Sequence, residues 1–221
     1  MKNYIDVMNP APRCPVVLIL DTSASMKGEP IAELNTALWQ FIREISSDEA
    51  ASMSVELELI PMTEQAEPVL AFTTADQVDA DKFQLTAAGG TFTGKALSRA
   101  LADLEERQKL YSGNMISSYY PWVIMMSDGK PGDNWHDPAG RLLDLAAQEK
   151  LIYLGLELGA KSNHDFMKQM LPAEPGPLRL TEVGQFKRFF RWLTRSLESV
   201  SRSNVGNEPI TSCLKTWQDL I

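Results

Sequence analysis

The chain has 221 residues, long enough for one large domain with a full core, and its 44% hydrophobic and 23% charged residues are ordinary for a globular protein. A net charge of −8, from 21 Lys+Arg against 29 Asp+Glu, argues against a general binder of nucleic acid or anionic membranes. No apolar run approaches the ~20 residues of a membrane span, and two isolated thiols, Cys14 and Cys213, with no CxxC pair, predict a reducing, cytoplasmic setting.

Residues 1–13 read as a lead-in, in which Asp6, Pro10, Pro12 and Arg13 break any signal-peptide pattern. The apolar run at 15–20 predicts a buried strand, which stops abruptly at Asp21-Thr22-Ser23-Ala24-Ser25. A helix is predicted to start near Glu29 or Pro30, since proline early in the first turn loses no hydrogen bond. Ile31, Leu34, Leu38, Phe41, Ile42 and Ile45 trace its apolar face. Residues 53–59 alternate at period two, which predicts a strand with one wetter face. After a turn at 63–65, residues 69–72 are expected to return antiparallel as a short hairpin partner. A short helix over 76–83 precedes the loop 87–90.

The spacing of Ala96, Leu97, Ala100, Leu101 and Leu104 predicts a helix over 94–108. A second buried strand, 121–126, ends like the first in a hydroxyl and an acid, Ser127-Asp128. A polar loop runs on to Asp137-Pro138, which has the form of an N-cap with proline at the first helical position, opening a helix to about residue 150. Then come a third apolar strand at 151–158, a short helix at 166–171, a short strand at 178–180 and a closing helix at 184–203. That last helix is apolar at Phe186, Phe189, Phe190, Leu193, Leu197 and Val200, with Lys187, Arg188, Arg191 and Arg195 as its solvated face. Residues 204–221 form a tail with an apolar tip at Leu214, Trp217, Leu220 and Ile221. Strands alternate with helices, which predicts an α/β fold: a mostly parallel central sheet with one antiparallel edge strand and helices on both faces.

Such sheets place their sites beyond the carboxyl ends of the strands. Three predicted loops at that edge carry oxygen donors: Asp21, Ser23 and Ser25; Thr91 or Thr93 after Gly89-Gly90; and Asp128. All are hard ligands, which suits Mg²⁺ or a similar divalent cation. Taken alone, Asp-Thr-Ser at a strand end is more often a turn that caps the next helix.

The order Asp21-x-Ser23-x-Ser25, then Gly-Gly-Thr, then Ser-Asp-Gly resembles the metal-ion-dependent adhesion site of the von Willebrand factor A (VWA) domain. The resemblance implies a Rossmann-like VWA fold over residues 14–203, flanked by the lead-in and the tail. It implies a site at Asp21, Ser23, Ser25, Thr91 and Asp128 for Mg²⁺ (or Mn²⁺ or Ca²⁺), with one position open for an Asp or Glu carboxylate of a protein partner. Segments 127–135 and 186–196 also resemble bacterial VWA proteins of the tellurium-resistance (TerY-like) type. That likeness implies a cytoplasmic interaction module, without catalysis, nucleic acid or membrane, that works with a kinase and a phosphatase in stress or phage defence.

Enzymatic alternatives are weaker. Gly89-x₄-Gly94-Lys95 satisfies most of a phosphate-loop pattern and suggests a nucleotide-binding or phosphate-directed hydrolase, but residue 96 is Ala where a hydroxyl must hold Mg²⁺. Position 23 is Ser where an aspartyl-phosphate phosphatase needs its general acid. His136 and His164 lie beside no Gly-x-Ser-x-Gly elbow. Asp133 is expected to shape the loop at the edge of the site.

Overall fold

The computed structural model describes residues 5–128, 130–159, 164–181 and 184–217. The first apolar run forms β1 (Cys14–Leu20), every residue of it buried. It is followed by α1 (Glu29–Ser47), α2 (Glu49–Ser54), β2 (Val55–Pro61), β3 (Leu70–Thr74), α3 (Thr93–Gly113) and β4 (Trp122–Ser127). The chain then continues through α4 (His136–Ala147), β5 (Ile152–Leu158), α5 (His164–Met170), β6 (Leu178–Leu180), α6 (Gln185–Ser201) and α7 (Ile210–Lys215). The six strands form one sheet in the order β3-β2-β1-β4-β5-β6, parallel throughout except for the antiparallel edge pair β2–β3.

Alternation along β1 sorts the core into two layers. Val16, Leu18 and Leu20 face α1 and α6 and pack among Leu38, Phe41, Phe189 and Leu193. Val17 and Ile19 face the other way, among Leu97, Leu101, Val123 and Met125, beneath α3 and α4. From β1 the chain order runs outward to β2 and β3 on one side, and from β4 to β5 and β6 on the other. The β1–β4 boundary is therefore the point where the winding reverses, and the crevice beyond the ends of those two strands is where an open α/β sheet holds its site.

Several local expectations are corrected. Asp48 accepts hydrogen bonds from the Ala50 and Ala51 amides, so residues 49–54 form the short capped helix α2 and β2 begins at Val55, not 53. β2 has no wet face: Glu56 and Glu58 are 1% and 2% exposed. Glu56 is compensated by Arg13 (3.2 Å) and Arg107 (2.7 Å) and accepts a hydrogen bond from Tyr111. The helix expected over 76–83 is instead two short 3₁₀ turns, Ala75–Gln77 and Ala80–Lys82. Helix α4 starts one residue before Asp137, which lies within its first turn and not at the cap. The tail folds back, with Trp217 only 1% exposed and packed edge-on to Trp192 at 4.9 Å; Leu220 and Ile221 lie outside the described residues.

Candidate metal centre

Parallel pairing sets Leu20 beside Met126, so the next residues, Asp21 and Ser127, leave the two central strands side by side. The Asp21 amide still donates to the Met126 carbonyl at 2.9 Å. The Asp21 carboxylate is wholly buried and accepts from three donors: the Ser23 amide (2.9 Å), Ser127 Oγ (2.7 Å) and the Asp128 amide (3.3 Å). Several N–H and O–H donors fix the orientation of this buried carboxylate.

From this anchor a line of oxygens runs outward. Ser25 Oγ donates to Asp128 Oδ1 at 2.9 Å, so the Ser23 hydroxyl, 2.8 Å from Ser25 Oγ, is the donor of that pair. Ser23 is buried, Ser25 in the middle of the line is exposed, and Asp128 at its end is half-buried. Burial first, and the neighbouring Asp21 charge after it, raise the Asp128 pKa, while the Ser25 hydrogen bond opposes the rise. Negative charge is thus crowded at this spot in a way that a cation relieves. Among the described residues no three His, Cys, Asp or Glu side chains cluster in metal-binding fashion; the donor number here depends on hydroxyls. Two carboxylates with hydroxyls form an all-oxygen set that fits a hard divalent cation.

The glycine loop reaches the same place through the backbone. The Ala88 amide donates to the Thr22 carbonyl (2.8 Å) and the Ala24 amide to the Gly89 carbonyl (3.0 Å), stitching the loop to the 21–25 segment. The Thr91 carbonyl accepts from the Gly132 amide (2.7 Å), which ties it to the loop after β4. Asp21, Ser23, Ser25 and Asp128 are therefore joined through hydrogen bonds of their side chains. Thr91 is tied through its backbone to Gly132 and not to these four, and among the described residues its hydroxyl bonds to none of them. The competing Thr93 is fully buried with its hydroxyl 3.7 Å from Met62 Sδ, which removes it from the site.

Ser127 and Asp133 were visible in the sequence, but their particular roles were not. Ser127 orients Asp21, and its signal was the parallel register that pairs equivalent strand ends. Asp133 caps α3 from 39 and 38 residues away in the sequence: its two oxygens accept from the Gly94 amide (2.9 Å) and the Lys95 amide (2.8 Å). This helix start sits tightly against the 130–135 loop, since a Cβ on Gly94 would lie 2.0 Å from the Asn134 carbonyl oxygen. The same geometry bears on the phosphate-loop pattern. Residues 83–88 form no strand, and the amides that would cradle a phosphate already hold a carboxylate.

A family model described as the von Willebrand factor type A domain matches residues 16–189. No curated protein gives a significant sequence match. The fold is similar to the vWF domain of the type V pili tip protein Mfa5 from Porphyromonas gingivalis, with TM-score 0.62 and 11% identity over 88% of this chain and 98% of that one. It is also similar to proximal thread matrix protein 1 of the mussel byssus, solved with a zinc-occupied MIDAS motif, with TM-score 0.59 and 15% identity over 85% of this chain and 48% of that one. Manganese-loaded Plasmodium vivax TRAP matches with TM-score 0.52 and 19% identity over 78% of this chain and 69% of that one. The chain thus spans less than half the length of the mussel protein. No helix among the described residues is long and apolar enough to cross a membrane.

Proposed function

The chain belongs to the von Willebrand factor type A domain family, and from that premise we propose that it is a metal-ion-dependent protein-interaction module. Its metal ligands are Asp21, Ser23, Ser25, Thr91 and Asp128, and its cation is Mg²⁺, with Mn²⁺ or Ca²⁺ as substitutes. The observation that carries this is the chain of hydrogen bonds from the Ser127 hydroxyl to the Asp21 carboxylate, from the Ser23 amide to the same carboxylate, and from the Ser23 hydroxyl through Ser25 to Asp128, at the sheet's reversal point. Two proteins of the same fold, one with zinc in its MIDAS motif and one loaded with manganese, support a divalent cation.

The division of labour follows from burial. Ser127 and the Asp128 amide hold Asp21 rigid on the inner side, while Ser25 and Asp128 face outward to the partner. Only two of the five ligands are charged, so a bound divalent cation balances them and removes the crowded negative charge that would repel an incoming anion. A bound cation supplies an electrophilic position that accepts an Asp or Glu oxygen from a partner protein. Binding rather than catalysis is supported by the absent strand before Gly89 and by the Asp133 carboxylate at the α3 amides. The segments 127–135 and 186–196 support the tellurium-resistance type, and with it a cytoplasmic module acting beside a kinase and a phosphatase.

Calorimetric titration of Mg²⁺ and Mn²⁺ into wild type, Asp128→Ala and Ser25→Ala tests the ligand set. Each variant is expected to bind at least about tenfold more weakly, the scale on which even outer-shell partners act, with an unchanged far-UV CD spectrum. Wild-type affinity in both variants would refute the assignment.

A further inference from the structure

Helix α6 carries Arg188, Arg191 and Arg195 along one exposed edge. They line a groove of about 520 Å³ between α6 and α7, whose wall also includes Ser199 and Ser212 and whose base is Trp192 and Cys213. No ion pair joins any of the three guanidinium groups to a described carboxylate, although the chain holds 29 acidic residues against 21 basic ones. Spacings of three and four residues bring these like charges together on the helix surface, where they destabilise it. A merely solvated face would avoid that by mixing signs, as α3 does with Arg99–Asp103 and Lys109–Glu105.

We propose that this groove is a second binding site, separate from the metal centre, that takes an extended acidic segment of a partner protein. Seven residues of helix carry Arg188 and Arg195 ~10 Å apart along the axis. An extended peptide in the polyproline II form rises ~3.1 Å per residue with three residues per turn, so carboxylates three residues apart share one face and span a similar ~9 Å. Each planar guanidinium can grip a carboxylate with two parallel N–H donors, which makes arginine the fitting residue. Ser199 and Ser212 add hydroxyls for the peptide backbone. The chemistry also selects a short acidic segment over a long polyanion. At ~0.15 M salt charges act over about 8 Å, so a short segment senses the arginines, whereas a nucleic acid strand extends over the acidic remainder of the surface.

The test is fluorescence anisotropy of the full chain with a labelled dodecapeptide of Glu-Ser-Gly repeats, at low ionic strength with EDTA throughout. EDTA removes the metal centre from the measurement, so this proposal and the metal assignment fail separately. Saturable binding is expected, weakening as salt is raised. It should fall about tenfold or more in Arg188→Glu/Arg195→Glu, in line with charge pairs at protein interfaces, and several-fold in Arg191→Lys, which keeps the charge but loses the fork. CD spectra of the variants check that they fold, and Arg188→Gln serves if the double reversal does not. Absence of binding, undiminished binding in the folded variants, or equal affinity for a peptide with its Glu residues clustered at one end would overturn the proposal. So would tighter binding of single-stranded DNA of the same charge.

Discussion

Replacing Glu58 by Gln should stabilise the protein, and the gain should grow with pH. Glu58 lies within β2 at 2% exposure, with one carboxyl oxygen left without a hydrogen-bond partner. Burial, and then the adjacent Asp103 carboxylate, push its pKa up to about 9, with only partial relief from Arg99 and Arg107. In the unfolded chain the same group titrates near ~4.3. The folded state therefore holds a proton that the unfolded state releases, so stability is greatest below about pH 4 and declines as pH rises towards about 9. At pH 7 the separation from the unfolded pKa is ~2.7 units, on the order of 3–4 kcal/mol at 1.36 kcal/mol per unit. The Gln amide keeps an N–H donor for Asp103, and a poorer fit than the acid subtracts about 1 kcal/mol, which leaves a net gain of roughly 2–3 kcal/mol for Glu58→Gln. Urea unfolding at several pH values between about 5 and 9 measures this, as the shift in midpoint at constant slope. A difference independent of pH, or a destabilised variant at pH 7, would show that Glu58 is ionised in the fold and that the reasoning is wrong.

Further tests address the frame of the site. Asp133→Ala leaves the Gly94 and Lys95 amides without their cap and is expected to cost about 1–2 kcal/mol, read as a lowered thermal midpoint. Gly94→Ala places a methyl group against the Asn134 carbonyl and should cost at least about 2 kcal/mol by overpacking; an unchanged melting temperature would contradict this close approach.

The parts of the fold that depend on local pattern were legible. The runs at 15–20, 121–126 and 151–158 became β1, β4 and β5 because both faces of a central parallel strand are covered, so the apolar residues are continuous. The antiparallel return at 69–72 and the amphipathic helices followed in the same way. What depended on distant partners was not legible. Alternation in 55–59 suggested a wet face, but Glu56 meets Arg13 and Arg107, residues 43 and 51 positions away by sequence. The cap of α3 comes from Asp133, across a loop, strand and helix, where sequence rules look only to the preceding few residues. Trp217 read as a free apolar tip because nothing local announces that Phe189 and Trp192 receive it. At the site, the oxygens were named by their order, while the direction of each hydrogen bond emerged only from the packed strand ends.

Helix α3 is fastened at both of its ends. Asp133 grips its first amides, and Glu56 on the neighbouring strand holds Arg107 and Tyr111, about four to five turns further along. An axial slide of this helix would have to break a cap and a buried ion pair together, the latter alone a matter of ~3–5 kcal/mol. Thr91 precedes that helix by two residues and so inherits its fixed position. In the metal centre proposed above, the α3 side of the scaffold is thereby set before any ligand arrives, so a rare competent state of that helix does not reduce the affinity. For the module proposed above, this places regulation with the supply of the cation or the partner rather than with a slide of α3, which would have to break both fastenings.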